Sequence, residues 1–330
     1  MRDRPQLTIA IATRDRAHLL TEVLRSCASQ QLDDDYFEIL VVADGESDGT
    51  IDACESFSRY LADTRKGLRF RFVEPWSDSR GLAAARNACA SEAEGDYIRF
   101  QDDDDLIDPY AADVMLNVHF EWGPRVAILG YTGIASHLFE LPIMRYLTEQ
   151  GGELFNYRAV PRGPLGFDWF WGGRTSVATA LARTIGFDEN LRFGAEDIEF
   201  AFRARQEAGL SVRYVPLVRS FMIRAVDLPS FARRCCRQGQ AARYAATKHP
   251  GSRLEEWALT SHAYTSWNGD GPEAFDRAFH RCRKLELTLD FATQISTRAD
   301  EQRRILDAAY KETFGLARAL GFEGVEISIG

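Results

Sequence analysis

The sequence predicts an α/β protein with a mostly parallel central sheet flanked by helices, followed by a C-terminal helical extension. Short apolar segments rich in β-branched residues alternate with helical patterns through the first part of the chain. Aspartate clusters follow several of these segments, at the sheet edge where such folds bind ligands. From residue 226 onward the pattern is helical, which predicts two domains, 1–225 and 226–330.

Seven apolar segments have the length and composition of strands. They are residues 7–12, 37–43, 68–73, 96–101, 126–132, 175–178 and 211–215. Helical periodicity or helix-start residues predict helices between them. These are residues 19–27, 51–61, 81–90, 181–185 and 196–208, with a further helix starting at Asp108-Pro109. Residues 133–170 are irregular and predict a long loop or lid.

The composition excludes several classes of protein. With 45% apolar and 27% charged residues, the 330-residue chain is neither disordered nor fibrous. A net charge of −9 argues against a general nucleic-acid binder, which needs a basic surface. Six cysteines without a CxxC pair favour reduced thiols and a cytoplasmic location. We see no apolar leader segment, and no apolar run approaches the roughly 18 residues of a membrane-spanning helix.

Four consecutive aspartates, Asp102 to Asp105, give the strongest chemical signal. Adjacent carboxylates repel one another, so stability alone does not explain them, whereas a hard divalent cation bound through oxygen does. Their position directly after an apolar strand favours a metal site. The alternative is a solvated acidic turn that caps the following helix.

Two further groups are weaker signals. Glu196 and Asp197 open a predicted helix, and a carboxylate held near a second acidic cluster is a candidate general base. Capping of the helix N-terminus is the commoner role for such residues. Arg86, on the alanine-rich helix that starts near Gly81, is placed to reach a phosphate or a base, but a surface arginine is the default interpretation.

Five motifs follow one another in a recognisable order. They are Thr13–Arg16, Asp44–Thr50, Gly81–Asn87, Asp102–Asp104 and Glu196–Asp197. Their order and spacing resemble the family 2 glycosyltransferases, inverting enzymes of the GT-A, Rossmann-like fold, over about residues 7–217. The segment 194–200 also resembles the Glu-Asp stretch of the β-1,4-galactosyltransferases.

The resemblance implies a role for each matching residue. Asp197 would be the catalytic base, and Glu196 would contact the donor or acceptor sugar. Asp104, with Asp102, would hold Mg²⁺ or Mn²⁺ on the diphosphate of the donor. The residues implied to bind the nucleotide sugar are Thr13, Asp15, Asp44, Arg86, Asp102, Asp103, Trp171, Gly172 and Gly173.

Within that set the implied contacts differ. Asp15 and Asp44 would contact the nucleotide base and ribose, and Arg86 would lie by the base or the diphosphate. Trp171 and the two glycines after it would line the sugar pocket, where missing side chains allow close approach. UDP is the expected nucleotide by family habit, and no residue of this chain specifies it.

The chain departs from the family pattern at the metal site. Many relatives have a histidine after the last strand of the sheet as a further metal ligand, whereas residues 218–223 contain none. His249 is the nearest later histidine and a poor candidate. The metal would then rest on aspartate, phosphate and water.

Residues 230–250 carry five basic side chains and no acidic one. This segment is a candidate for contact with the diphosphate, an anionic acceptor or a membrane surface, and a solvated helix face is the alternative. The helical extension is expected to shape the acceptor site or to form a homodimer contact. The sequence does not reveal the acceptor or the donor sugar.

Other functions explain the sequence less well. A dinucleotide dehydrogenase would need a Gly-x-Gly-x-x-Gly motif, and a P-loop enzyme would need a Gly-Lys-Ser/Thr motif. The sequence contains neither motif. A sugar nucleotidyltransferase would carry a glycine-rich, arginine-containing loop after the first strand. A non-catalytic nucleotide-sugar-binding protein would keep Asp44 and Asp104 without needing Asp197. We therefore expect a metal-dependent, inverting glycosyltransferase that uses a nucleoside-diphosphate sugar and an acceptor hydroxyl.

Overall fold

A computed structural model describes residues 4–45, 49–73, 76, 78–262, 269, 271–292 and 299–329. The chain forms two compact units. The first comprises Met1–Ala135, Ala159–Arg192 and Glu196–Arg224, and the second comprises Ser136–Arg158, Phe193–Ala195 and Ala225–Gly330. That 1–225 and 226–330 are separate domains stays a prediction. Residues 46–48 of the second motif lie outside the described residues.

An eight-stranded sheet runs through the first unit. In chain order, strands β1 to β8 are Leu7–Thr13, Phe37–Ala43, Arg69–Val73, Tyr97–Asp102, Asp105–Ile107, Val126–Ile134, Thr175–Ala178 and Ser211–Met222. The spatial order is β3-β2-β1-β4-β7-β6-β8-β5. The β1–β2, β1–β4, β2–β3 and β6–β8 pairs are parallel, whereas β7 is antiparallel to both neighbours and β5 is antiparallel to β8. The predicted α/β fold with a mostly parallel sheet is confirmed.

The helices lie along the chain as the alternating pattern predicts. In chain order, helices α1 to α11 are Ala17–Ala28, Thr50–Thr64, Leu82–Glu92, Ala111–Trp122, Pro142–Arg145, Thr179–Ile185, Glu196–Ala208, Leu228–Lys248, Arg253–His262, Pro272–Ala292 and Ala299–Phe322. Helices α5 and α8 to α11 belong to the second unit, and the other six belong to the first. None of the described helices has an apolar stretch long enough to cross a membrane.

The apolar strands are buried because helices cover both faces of the sheet. Successive side chains of a strand point to opposite faces. On β1, Ile9 and Ile11 pack in one core cluster with Leu20 of α1, while Ala10 packs in another with Ala83 of α3. This burial fixes the register of β1 against its parallel neighbours β2 and β4. The residues at the C-terminal ends of these three strands therefore take defined positions.

The last strand is longer than predicted. The sequence predicts residues 211–215, ending before Pro216, but β8 continues to Met222. Its register against β6 shifts between Gly130 and Tyr131, whose partners are Val215 and Arg219. The shift leaves the proline in a bulge, where a missing N–H does not cost a ladder hydrogen bond.

The interval predicted as a long loop contains helical turns. Within residues 133–170, a 3₁₀ turn occupies Ser136–Glu140 and α5 occupies Pro142–Arg145, followed by further short turns. The prediction of a long loop is therefore wrong where these turns form, and a lid role stays a prediction. Buried apolar side chains at Ile143 and Met144 explain the turns, because burying them orders the backbone that carries them.

The second unit is helical, as predicted. Its helices α8 and α11 approach closely at two glycines: a Cβ at Gly239 would lie 2.1 Å from the carbonyl oxygen of Arg318, and one at Gly321 would lie 1.9 Å from that of Cys236. Phe231 and Phe314 pack edge to face across these helices, with ring centroids 4.7 Å apart. Residues 263–268 and 293–298 of the predicted extension lie outside the described part of the chain.

Candidate active site

The aspartate run crosses from one strand to the next. Asp102 ends β4, Asp103 and Asp104 form the turn, and Asp105 begins β5. The last three are 3%, 4% and 0% exposed, so the alternative of a solvated acidic turn is wrong. Buried carboxylates require charged or hydrogen-bonding partners. The structure supplies these partners from other parts of the first unit.

Two arginines neutralise the turn between the strands. Arg16 forms an ion pair with Asp103 and lies 3.3 Å from Asp104 Oδ2, and Arg224 Nε lies 2.5 Å from the same oxygen. The Thr13 hydroxyl donates a hydrogen bond of 2.8 Å to Asp103 Oδ2. Burial raises the pKa of Asp103 to about 6, although the nearby Arg16 charge acts in the opposite direction.

A third arginine, Arg174, lies between the two ends of the run. Its guanidinium is 3.5 Å from Asp102 Oδ2 and 3.8 Å from Asp105 Oδ2. Ser220 Oγ donates a hydrogen bond of 3.3 Å to Asp105 Oδ2. Burial raises the pKa of Asp105 to about 8, again against the effect of Arg174. Asp105 is thus held within the sheet, whereas Asp102 is only half-buried at its edge.

The Glu-Asp motif begins α7 and contacts two other motifs. Glu196 Oε1 accepts a hydrogen bond of 2.7 Å from Arg86, and both side chains are at most 5% exposed. The interpretation of Arg86 as a surface arginine is therefore wrong. Asp197 Oδ2 accepts a hydrogen bond of 2.8 Å from the N–H group of Gly172. Its Oδ1 accepts one of 2.9 Å from the N–H group of Ile198, in the first turn of α7, where N–H groups have no partner within the helix.

The turn at Gly172 and Gly173 brings these groups together. A Cβ at Gly172 would lie 2.4 Å from the Arg86 guanidinium, and a Cβ at Gly173 would lie 1.9 Å from Asp102 Oδ1. A side chain at either position would displace the Arg86 guanidinium or the Asp102 carboxylate. The preceding Trp171 is half-buried and donates a hydrogen bond of 3.2 Å from Nε1 to the Asp168 carbonyl oxygen.

Asp44 lies at the end of β2 and is 6% exposed. Its Oδ1 accepts hydrogen bonds of 2.6 Å and 3.1 Å from the N–H groups of Arg80 and Gly81, just before α3. The Ser79 hydroxyl donates a further bond of 2.8 Å to Oδ2. The carboxylate is therefore fixed by the loop that leads into the alanine-rich helix.

Asp15 lies at the surface of the first unit. Its backbone is left-handed, with φ of 55°, and its side chain is 57% exposed. Arg14 Nε lies 3.2 Å from Asp15 Oδ2, and Arg14 also donates a hydrogen bond of 2.5 Å to Ser79 Oγ. Asp15 and Asp44 are thus linked through Arg14 and Ser79 at one edge of the sheet.

The carboxylates suit a hard cation without forming a closed cage. In the part of the chain that the structure describes, no cluster of three or more His, Cys, Asp or Glu side chains is arranged to hold a metal ion. Asp102 and Asp104 offer the oxygen ligands that Mg²⁺ and Mn²⁺ prefer. Protein-bound Mg²⁺ commonly uses one or two carboxylates, with substrate phosphate completing its coordination. The residues fit a metal site of that kind.

Sequence reasoning missed the three arginines that neutralise the run. Arg16 is part of the first motif, Arg174 directly follows the glycine turn, and Arg224 is the second residue after β8. A signal was present: each basic residue follows a strand or turn that ends at the edge where the aspartates accumulate. The motifs alone gave no reason to pair these charges.

Comparison with known proteins identifies related sequences. Residues 8–176 match the family model described as glycosyl transferase family 2. A validoxylamine A glucosyltransferase of Streptomyces hygroscopicus subsp. jinggangensis is 28% identical over 222 residues, covering 60% of this chain and 51% of that protein. The putative glycosyltransferase EpsH of Bacillus subtilis is 28% identical over 114 residues, covering 34% and 30%. The chain spans about half the length of the two validoxylamine A glucosyltransferases it matches.

Solved structures share the fold. The mannosyltransferase PcManGT from Pyrobaculum calidifontis, in complex with GDP-Man and Mn²⁺, superimposes with a TM-score of 0.59 at 20% identity, covering 97% of this chain and 87% of that one. TarS 1-349 of S. aureus, in complex with UDP, gives a TM-score of 0.53 at 17% identity, covering 97% and 90%.

Proposed function

The chain belongs to glycosyl transferase family 2, and from that premise we propose that it transfers a sugar from a nucleoside-diphosphate sugar to an acceptor hydroxyl. The proposed reaction depends on a divalent metal and inverts the anomeric centre. One observation carries the proposal: the Gly172–Gly173 turn lies against both acidic centres. It contacts Asp102 at the end of β4 and donates a hydrogen bond to Asp197 at the start of α7.

The nucleoside is assigned to the ends of β1 and β2. The Asp44 carboxylate is fixed by backbone N–H groups and by the Ser79 hydroxyl. This rigidity supports a role for Asp44 as hydrogen-bond acceptor for N–H groups of the base or for ribose hydroxyl groups. Asp15 lies beside it at the exposed edge. UDP is the first nucleotide to test because the resemblance favours it, and GDP is the second because PcManGT is in complex with GDP-Man.

The diphosphate is assigned to the aspartate run. Asp102 and Asp104 would hold Mg²⁺ or Mn²⁺, and Thr13 and Arg16 keep Asp103 turned toward β1. A bound metal would offset the negative charge that develops on the leaving diphosphate. Trp171 and the two glycines after it are assigned to the sugar, since the turn presents backbone where side chains would block approach.

Asp197 is assigned as the general base. Its carboxylate takes the proton of the acceptor hydroxyl while that oxygen attacks the anomeric carbon, and the bond from this carbon to the diphosphate oxygen breaks. One such displacement inverts the anomeric centre. Glu196 is buried in its ion pair with Arg86, which supports a positioning role at the start of α7. A direct contact of Glu196 with sugar stays a prediction.

A screen of nucleotide sugars tests the proposal. The protein is incubated with UDP-, GDP- and other nucleotide sugars, with Mn²⁺ or with EDTA, and free nucleoside diphosphate is measured. We expect release from one donor class, abolished by EDTA. Tight donor binding without release would instead support a non-catalytic binding protein. Formation of a nucleotide sugar from nucleoside triphosphate and sugar phosphate would support a nucleotidyltransferase.

We also propose a reducing compartment such as the cytoplasm. The six cysteines are all free and buried. Burial raises the pKa of the Cys27 and Cys89 thiols to about 12, which keeps them protonated and unreactive. We propose further that the helical extension shapes the acceptor site or forms a homodimer contact.

A further inference from the structure

Two guanidinium groups share one oxygen of the proposed metal ligand. Arg224 Nε lies 2.5 Å from Asp104 Oδ2, and Arg16 lies 3.3 Å from it. The Asp104 side chain is only 5% exposed, so water screens these charges weakly. Asp104 is thus neutralised by side chains of the protein itself.

The position of Arg224 is fixed by the sheet. The N–H group of Ile223, its neighbour, donates a hydrogen bond of 2.9 Å to the carbonyl oxygen of Asp104. One residue earlier, Met222 pairs with Asp105 in the antiparallel β5–β8 ladder. The backbone on both sides of the ion pair is therefore tied together, and only the Arg224 side chain, 26% exposed, is able to leave the carboxylate.

A divalent cation and Arg224 compete for the same oxygen. A metal ion on Asp104 Oδ2 would lie within a few ångströms of two positive guanidinium groups, and like charges at such distances repel strongly in a buried site. A diphosphate changes this balance, because it offers Arg224 new oxygen partners. The planar guanidinium binds phosphate through two parallel hydrogen bonds, so the exchange loses no charge pairing.

We propose that Arg224 determines specificity for ligands that contain a diphosphate. It pairs with Asp104 in the ligand-free protein and moves to the diphosphate when one binds, so metal and nucleoside diphosphate bind cooperatively. The proposal rests on the proposed function, in which Asp104 binds the metal. The coupling is reciprocal by thermodynamic linkage: UDP raises the affinity for Mn²⁺ by the same factor by which Mn²⁺ raises the affinity for UDP. A ligand without a diphosphate gains nothing from the exchange.

The test measures Mn²⁺ binding rather than turnover. Free Mn²⁺ is followed by electron paramagnetic resonance during titration of the full chain, with and without saturating UDP, for the wild type and for Arg224→Gln. In the wild type we expect UDP to tighten Mn²⁺ binding about tenfold or more. In Arg224→Gln, Mn²⁺ binds the UDP-free protein more tightly, and the effect of UDP shrinks correspondingly.

Two further variants control for charge and folding. Arg219→Gln removes another arginine of β8, which pairs with Asp108 at 3.2 Å, and should behave as the wild type. Arg224→Lys keeps the positive charge beside Asp104 but loses the bidentate geometry. It should bind Mn²⁺ weakly without UDP, as the wild type does, and bind UDP more weakly than the wild type. It tests the proposal even if Arg224→Gln does not fold.

The outcomes separate this inference from the function on which it rests. Suppose the wild type shows Mn²⁺-dependent UDP binding, but Arg224→Gln binds Mn²⁺ alone no more tightly and keeps the full coupling. The role of Arg224 is then overturned and the proposed function stands. If Mn²⁺ does not strengthen UDP binding in the wild type, the metal-dependent function and the role of Arg224 both fail.

Discussion

Gly173 leaves no room for a side chain beside Asp102: a Cβ there would lie 1.9 Å from Asp102 Oδ1. The contact joins the end of β4 to the turn before β7, two segments separated by about 70 residues of sequence. The carboxylate would have to rotate away if any side chain were added at Gly173. Only side-chain atoms of Asp102 would have to move, so the substitution would change the site more than the fold.

We expect Gly173→Ala to weaken donor binding while the protein stays folded. Displacing the Asp102 carboxylate removes a charge-assisted contact to the donor, a loss of about tenfold or more in affinity. Calorimetric titration with UDP and Mn²⁺ measures this loss. Gly133→Ala is the matched control, because its Cβ would meet its nearest atoms at an ordinary 3.4 Å. Equal UDP affinity in both variants would contradict the assignment of Asp102.

The buried pair of Arg86 and Glu196 should contribute measurably to stability. Arg86→Met leaves the Glu196 carboxylate buried beside an apolar side chain, and removing one member of such a pair costs about 3–5 kcal/mol. The double variant Arg86→Met/Glu196→Leu should lose less than the single one, because no uncompensated charge remains. Urea denaturation followed by circular dichroism measures the free energy of unfolding.

The exposed pair of Arg4 and Asp96, with side chains 70% and 42% exposed, is the control for this experiment. Arg4→Gln should change the free energy of unfolding by less than about 1 kcal/mol, since water screens the interaction. A double variant as unstable as Arg86→Met would show that the buried pair does not act as a unit.

The sequence predicts the fold better than the charge pairing of the site. Buried strands such as β1 and β2 are read from local apolar runs, because burial of both sheet faces leaves a signature within a few residues. The contact of Asp104 with Arg224 joins residues 120 positions apart. Each charged residue of the sequence has many possible partners of opposite charge. The register of β5 against β8 is what brings Arg224 next to Asp104.

The longer course of β8 was unpredictable for a different reason. Pro216 is a local signal for the end of a strand, because proline has no N–H group to donate to the ladder. The bulge opposite Gly130 and Tyr131 accommodates the proline through pairing with a distant segment. The part of β8 that follows Pro216 includes Ser220, which contacts Asp105.

Acid should destabilise the protein through His119. This side chain is fully buried on α4, its Nε2 lies 2.9 Å from Ser176 Oγ, and burial lowers its pKa to about 3. Below about pH 6.5 the unfolded chain binds a proton that the folded chain does not, so stability is lost as the pH falls from 6.5 toward 3. The slope is about 1.4 kcal/mol per pH unit for this one group.

Urea denaturation of the wild type and His119→Gln, at about pH 7.5 and about pH 5, measures that slope. We expect the wild type to lose about 2 kcal/mol more than the variant between these two conditions. The same loss in both proteins would show that His119 is protonated in the folded state.

Neutralising Asp104 should remove the metal dependence of donor binding. In Asp104→Asn a proposed anionic ligand becomes a neutral amide, so UDP affinity in the presence of Mn²⁺ should fall about tenfold or more, toward the value measured in EDTA. Asp108→Asn is the control, since Asp108 lies beyond the run and pairs with Arg219. An Asp104→Asn protein whose UDP binding still responds fully to Mn²⁺ would not support the metal assignment.

The most direct test of the account compares donor affinity and turnover in Asp197→Asn. The asparagine retains the shape of the side chain and an oxygen to accept the Gly172 hydrogen bond, but its amide nitrogen cannot accept the second bond, from Ile198, and it is not a base. With the donor identified by the nucleotide-sugar screen, we predict an affinity close to that of the wild type and a transfer rate lower by about 10² to 10⁴. If Asp197→Asn transfers sugar as fast as the wild type, Asp197 is not the base, and the proposed mechanism is contradicted.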